Sequence, residues 1–253
     1  AFWAGKWRYV HIPRGGTAFV CESFSGEGLR AILKLSIIYL FIAFFWSLFD
    51  QSQAAWVNQA KDMDLRWLGI TWLPDQVQAF NSVLILVMIP LFASMIYPAI
   101  NRVFPLTDLR KIGLGLFVAV LSFVVPALVQ SRITAGFQPS IGWQFLAYVF
   151  LTAGEVMVSI TGLEFSYTQA PKRMKSFIMS IFLLSVALGN AFTAVVNRAI
   201  ERPDGTSLLV GASYYWFFVG VMLVAAILFI PVARRYPLKD YIQDEAPAEA
   251  QPQ

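Results

Sequence analysis

The sequence predicts an all-α membrane protein with six transmembrane helices, and three observations carry that prediction. Hydrophobic residues make up 58% of the chain and charged residues only 13%, where a soluble domain carries about 25% charged. The apolar residues fall into six runs, at 31–57, 77–100, 112–129, 143–167, 177–196 and 214–233, each near the roughly 20 residues that a bilayer span requires. The basic residues alternate by loop. Of 19 Lys and Arg, 14 lie before or at the start of the first run, between the second and third, between the fourth and fifth, or after the sixth. The positive-inside rule then places both termini in the cytoplasm, in agreement with an even number of spans.

Three regions follow. Residues 1–30 read as a cytoplasmic linker, 31–235 as the six-helix bundle, and 236–253 as a cytoplasmic tail whose acidic, Pro- and Ala-rich composition predicts disorder. No apolar run begins at the N-terminus, so no signal peptide is expected. The chain starts with Ala1 rather than Met and is expected to be a piece of a longer protein. The single cysteine, Cys21, and the single histidine, His11, lie in the linker. Neither a disulfide within the chain nor a metal site is expected from them. The net charge of +4 is divided among loops rather than gathered into a stripe, so nucleic acid is not an expected partner.

The first span ends in Phe45-Trp46-Ser47-Leu48-Phe49-Asp50. Trp46 and Asp50 are four residues apart and share a helix face. Because this helix runs outward, Asp50 lies on the external side of the midplane, where a carboxylate suits a gate that pairs with a cation when shut. Trp46, one turn deeper, is a candidate pocket wall, although a lone membrane tryptophan is more often a packing residue. The second span opens with Asn81, whose amide is a candidate peptide or carboxylate ligand, and Pro90 and Pro98 interrupt it. The third span contains Pro126, and neither it nor the sixth has a charge in its apolar core, so both are expected to be free to face lipid. Gly113-Leu114-Gly115 lacks the third glycine of a dinucleotide fingerprint.

The fourth span carries the most informative residue. Glu155 interrupts an otherwise apolar run, and an acid at the bilayer centre costs about 2.5–3.5 kcal/mol on insertion scales. Such residues mark ion or substrate pathways. Ser159 at i+4 and Thr152 at i−3 lie on the same face, near enough to hydrogen-bond the carboxyl. A static ion pair joining two helices is the plainer alternative. Glu164 is nine residues further, about 13.5 Å along the axis and half a turn out of phase, and is expected to face elsewhere as a gate or helix-pairing residue. Asp50 and Glu155 occupy the first helix of each of two successive triplets, the arrangement in which repeat-built carriers place their binding sites. In the fifth span Ser185 and Gly189 form a small-xxx-small pair that permits close helix approach. Lys172, Arg173 and Lys175 precede it as topology determinants. No Ser-His-Asp set, phosphate loop or metal-ligand cluster occurs. No catalytic residue, metal or cofactor is therefore expected, and an ion gradient is left as the energy source.

Several of these strings together resemble the proton-dependent oligopeptide transporters, the peptide branch of the major facilitator superfamily. The longest is GEVMVSITGLEFSYTQAPKRMKS at 154–176, with FWSLFDQ at 45–51, LPDQVQAFN at 73–81, IPLFASMIYP and ALGN. The resemblance implies a twelve-helix carrier of two halves, with this chain as the C-terminal half, helices seven to twelve. It implies symport of di- and tripeptides with protons. Glu155 would meet the peptide's amino end and a lysine of the other half, with Ser159 beside it. Asp50 would be the gate carboxylate, paired with an arginine of the other half, and Trp46 and Asn81 would line the peptide site. Where the family commonly has tryptophan in its eleventh helix, this chain has Phe182, which keeps an aromatic surface and loses the indole donor. The family's first-helix E-x-x-E-R motif is absent, so the missing N-terminal half is an expected partner and the chain alone is not expected to transport. The short loop at 130–142 lacks the large external domain of animal members, which suggests a bacterial inner membrane. A carrier of another solute such as nitrate, or a non-transporting ligand-binding scaffold, remains the alternative.

Overall fold

The computed structural model describes residues 24–171, 174–203 and 207–237. Cys21, His11, Lys172, Arg173, most of the 1–30 linker and most of the 236–253 tail lie outside the described residues. Six helical spans are present, at Gly28–Ala60, Gln76–Val103, Asp108–Thr134, Gly142–Gln169, Lys175–Ile200 and Ala212–Arg235. Each overlaps one predicted run. A bilayer forces this outcome, since a spanning segment must satisfy every backbone polar group internally.

Helix α1 (Gly26–Phe49) begins inside the region read as linker. Ser25 caps it, its hydroxyl accepting from the Gly28 N–H at 3.0 Å. A 3₁₀ turn at Asp50–Gln53 and helix α2 (Ala55–Ala60) complete the first span. A small hairpin follows, β1 (Arg66–Trp67) against β2 (Ile70–Thr71), antiparallel with Arg66 opposite Thr71. Its two turn residues, Leu68 and Gly69, both have positive φ, 53° and 76°, as a two-residue primed turn demands. Trp67 stacks on Phe145 at 4.4 Å, fastening the hairpin to the fourth span.

Two spans are not continuous α-helices. The second is α3 (Gln76–Leu91), a π turn at Phe92–Ile96, and α4 (Tyr97–Val103). Pro90 lacks an N–H and its ring crowds the preceding turn, and the Ser94 hydroxyl returns a hydrogen bond to the Pro90 carbonyl at 2.6 Å. The third span is a single helix, α5 (Asp108–Thr134). The fourth is α6 (Gly142–Glu155), a π turn at Val156–Ile160, and α7 (Thr161–Gln169). Helices α8 (Lys175–Ile200) and α9 (Ala212–Arg235) form the last two spans.

Helix α5 packs on both α6 and α9, and α8 packs on α1. In the most apolar stretch of the third span, 56% is buried inside the bundle, against 11% in the second span and 22% in the fifth. This corrects the expectation that an uncharged third span faces lipid. Its apolar residues, Leu116, Ala119 and Phe123 among them, pack inside the bundle. Lipid and protein interior are equally apolar, so absence of charge does not distinguish the two.

Glycines set the closest approaches. A Cβ on Gly189 of α8 would lie 2.4 Å from the Ala43 carbonyl oxygen of α1, and one turn on, the Thr193 hydroxyl donates to the Ser47 carbonyl at 3.2 Å. The predicted small-residue seam of Ser185 and Gly189 is thus the α1–α8 contact. A Cβ on Gly115 of α5 would lie 2.7 Å from both Met157 and Val158, so the glycine set aside as no nucleotide motif seats the π turn of the fourth span. Lys175, one of the expected topology determinants, is buried with Nζ 3.8 Å from the centre of the Tyr167 ring.

Candidate functional site

Glu155 is the last residue of α6, immediately before the π turn. Asn81 of α3 donates from Nδ2 to Glu155 Oε2 at 3.2 Å. The hydroxyl of Thr152, a fully buried residue one turn before Glu155, donates to Asn81 Oδ1. The amide is thereby oriented, its oxygen held by Thr152 and its nitrogen aimed at the carboxyl. Below this triplet the two π turns meet in one apolar cluster of Met88 and Phe92 with Val156 and Met157. Among the described residues no lysine or arginine pairs with Glu155, so the static ion pair is not formed within these helices. Glu155 is half-buried, and its carboxyl is reached by a neutral donor.

Ser159 falls inside the π turn and forms no hydrogen bond to Glu155. In π geometry the backbone bond runs i to i+5, so Ile160 rather than Ser159 comes over Glu155. The same extra residue lowers the angular separation of Glu155 and Glu164 from half a turn to about a quarter turn. Glu164 nevertheless stays apart. It is exposed and lines a separate cavity of about 550 Å³ with Tyr97 and Lys111.

Asp50 opens the 3₁₀ turn, and the Asn190 amide of α8 lies near its carboxyl. Its Oδ2 is buried without a partner among the described residues. So is Nε1 of Trp46, one turn earlier on the same helix. A donor and an acceptor on one face, both out of water, each carry a desolvation cost of about 1–3 kcal/mol while unmatched. Trp46 also packs edge-on against Phe45 and Phe49 at 5.5 and 5.3 Å, the packing role weighed for it. Asn190 was not singled out from the sequence. Its signal was the one used for Asn81, an amide in an apolar span, and it follows directly on Gly189.

Phe182 does not line an open surface. It is 2% exposed, edge-on to Tyr39 at 5.6 Å and close against Gly162. The missing Cβ of Gly162 admits the ring into the core between α1 and α7. Its proposed place in a peptide site is corrected accordingly.

The first span is anchored next to Asp50 by buried amides and hydroxyls. Gln144 of α6 donates to the Trp56 carbonyl at 2.8 Å, and Gln59 donates to the Pro126 carbonyl at 2.9 Å and to Gln130 Oε1 at 2.8 Å. The Tyr148 and Tyr215 hydroxyls donate to the carbonyls of Ser52 and Ala55 at 3.3 and 3.0 Å. Helix α2 is therefore bound to three other spans at the end where the candidate gate stands.

Among the described residues, six spans around two half-buried carboxylates, with interrupted helices beside one of them, define a helical membrane-embedded bundle. The POT family matches residues 10–217, and the chain belongs to that family. It is 33% identical over 214 residues to peptide transporter PTR2 of Saccharomyces cerevisiae, an alignment covering 79% of this chain and 35% of the yeast protein. Among solved structures it is similar to an auto-inhibited POT family peptide transporter, at 33% identity and a TM-score of 0.79, covering 88% of this chain and 44% of that one. It is also similar to the POT family transporter PepTSo, at 39% identity and a TM-score of 0.75, covering 83% and 42%. The chain spans about a third of the length of the yeast relative it matches.

Proposed function

We propose that these six helices form one half of a proton-coupled symporter of di- and tripeptides that works by alternating access. The carrying observation is Glu155, a carboxylate inside the bundle, held by the neutral Asn81 amide and free of any cation among the described residues. A carboxyl so placed takes up a proton, the ammonium of a peptide, or a lysine of a facing half in turn. An opposite charge beside a carboxyl favours its charged form, and removal of that charge lets it bind a proton. The names of the relatives support the peptide as cargo. Their greater length supports a second six-helix half as partner. Asp50 serves as the gate of the outer side, with Oδ2 and Trp46 Nε1 as the groups that the facing half or the substrate satisfies. Asn81 acts chiefly through Glu155, and Glu164 acts on the cytoplasmic side.

Both termini lie in the cytoplasm on this reading, because the loops at the Arg102, Arg110 and Arg234 end carry the excess of positive charge. The short connection at 135–141 fits a bacterial inner membrane, and a similar chain in yeast makes other membranes equally compatible with the fold.

The test is uptake of a labelled dipeptide into proteoliposomes that carry these helices together with a first six-helix half, under an inward proton gradient. The expected result is uptake that stops when the gradient is dissipated and that excess unlabelled tripeptide competes away. Glu155→Gln is expected to abolish it while the protein stays inserted and folded. Gradient-driven nitrate uptake without peptide uptake, or full uptake by a folded Glu155→Gln protein, overturns the proposal.

A further inference from the structure

At the basic end of the bundle a cavity of about 580 Å³ opens between α5 and α9. Arg110 and Arg234 line it together with Leu114, Phe117 and Ile230, and the fully buried Phe229 borders it from the core. A Cβ on Gly113 would already touch the Phe229 ring at 3.4 Å, so glycine keeps the trough open there. Arg110 is held in place. Its guanidinium lies 4.4 Å from the centre of the Phe104 ring, and Nη1 donates to the Pro105 carbonyl. Neither arginine forms an ion pair among the described residues, and the acid nearest in sequence, Asp108, is bound to Lys111 at 2.9 Å. Two cations without a carboxylate, one of them pre-positioned, therefore border an apolar trough on the outside of the bundle.

We infer that this trough binds one anionic phospholipid, its phosphate between Arg110 and Arg234 and an acyl chain along Leu114, Phe117 and Ile230. Guanidinium forks match phosphate oxygens in two parallel hydrogen bonds, and basic pockets between spans on the cytoplasmic side suit anionic headgroups. The two charges select against a zwitterionic lipid, and the apolar lining selects against a free anion. The inference rests on the proposed orientation of the bundle and not on what it carries.

The test is native mass spectrometry of the intact protein released from bilayers of equal phosphatidylglycerol and phosphatidylcholine. One retained phosphatidylglycerol is expected, preferred roughly thirtyfold, from about fivefold for each basic residue. The double variant R110Q and R234Q is expected to drop the preference below about threefold, and the double variant R132Q and R198Q, with the same charge change at the opposite end, to keep it. Unchanged preference in the first variant, or equal loss in the second, overturns the site. Displacement of the lipid by millimolar inorganic phosphate makes it a small-anion site and overturns the lipid. Peptide uptake is not read in this experiment, so failure of the symport proposal and failure of the lipid site are told apart.

Discussion

Asn81 on the second span and Glu155 on the fourth are joined by a hydrogen bond of 3.2 Å across 74 residues of sequence. The bond connects an amide whose orientation is set by Thr152 to the carboxyl on which the proposed coupling depends. It also ties together the two spans that contain π turns. Asn81 therefore positions Glu155, and its loss is expected to be felt in coupling before it is felt in folding.

Asn81→Ala removes both hydrogen bonds, worth about 0.5–1.5 kcal/mol each in net stability. A fall of a few degrees in the melting temperature of the detergent-solubilised protein is expected, with at least a tenfold loss of gradient-driven uptake. Uptake driven only by a peptide gradient is expected to fall less. Equal loss in both modes would assign Asn81 a purely structural role.

Gly189→Ala places a methyl against the Ala43 carbonyl of α1. Overpacking of this kind costs about 1–3 kcal/mol, read as a lower unfolding temperature. Gly220→Ala, where nothing lies within 4 Å, is expected to be neutral or slightly stabilising, because alanine is the better helix former. Similar losses in both would show that the seam is looser than described.

Gly115→Ala presses on Met157 and Val158 in the π turn that follows Glu155. A displaced turn moves Glu155 relative to Asn81. Uptake is expected to fall by more than tenfold while the protein remains folded. Partial restoration by Val158→Ala, which removes the opposing Cγ2 and leaves the Met157 Cβ contact, is the check, and its absence would break the link between this contact and the site.

Gln144→Leu removes the side-chain donor that reaches the Trp56 carbonyl from α6, at a net cost of about 0.5–1.5 kcal/mol. The melting temperature is expected to fall, and a cysteine label at Lys61, in the connection just after α2, is expected to gain mobility by electron paramagnetic resonance. An unchanged spectrum would mean that the remaining bonds from Gln59, Tyr148 and Tyr215 hold α2 unaided.

The number and placement of the spans were legible in the sequence, because a 20-residue apolar run has one solution in a bilayer, a helix with all its backbone bonds internal. The isolated acids Asp50 and Glu155 were legible because charge inside such a run is costly and stands out. The Ser185–Gly189 seam was legible because only small residues let two backbones meet. Tertiary structure decided the rest. It enclosed the third span, buried Phe182 behind Gly162, aimed Asn81 at Glu155 and inserted the two π turns that shift the phase of everything beyond them. In water the apolar stripe of a helix announces which face is inside. In a membrane both faces are apolar, so the rotation of each helix, and with it the set of side chains that meet, is settled only when the helices pack against one another.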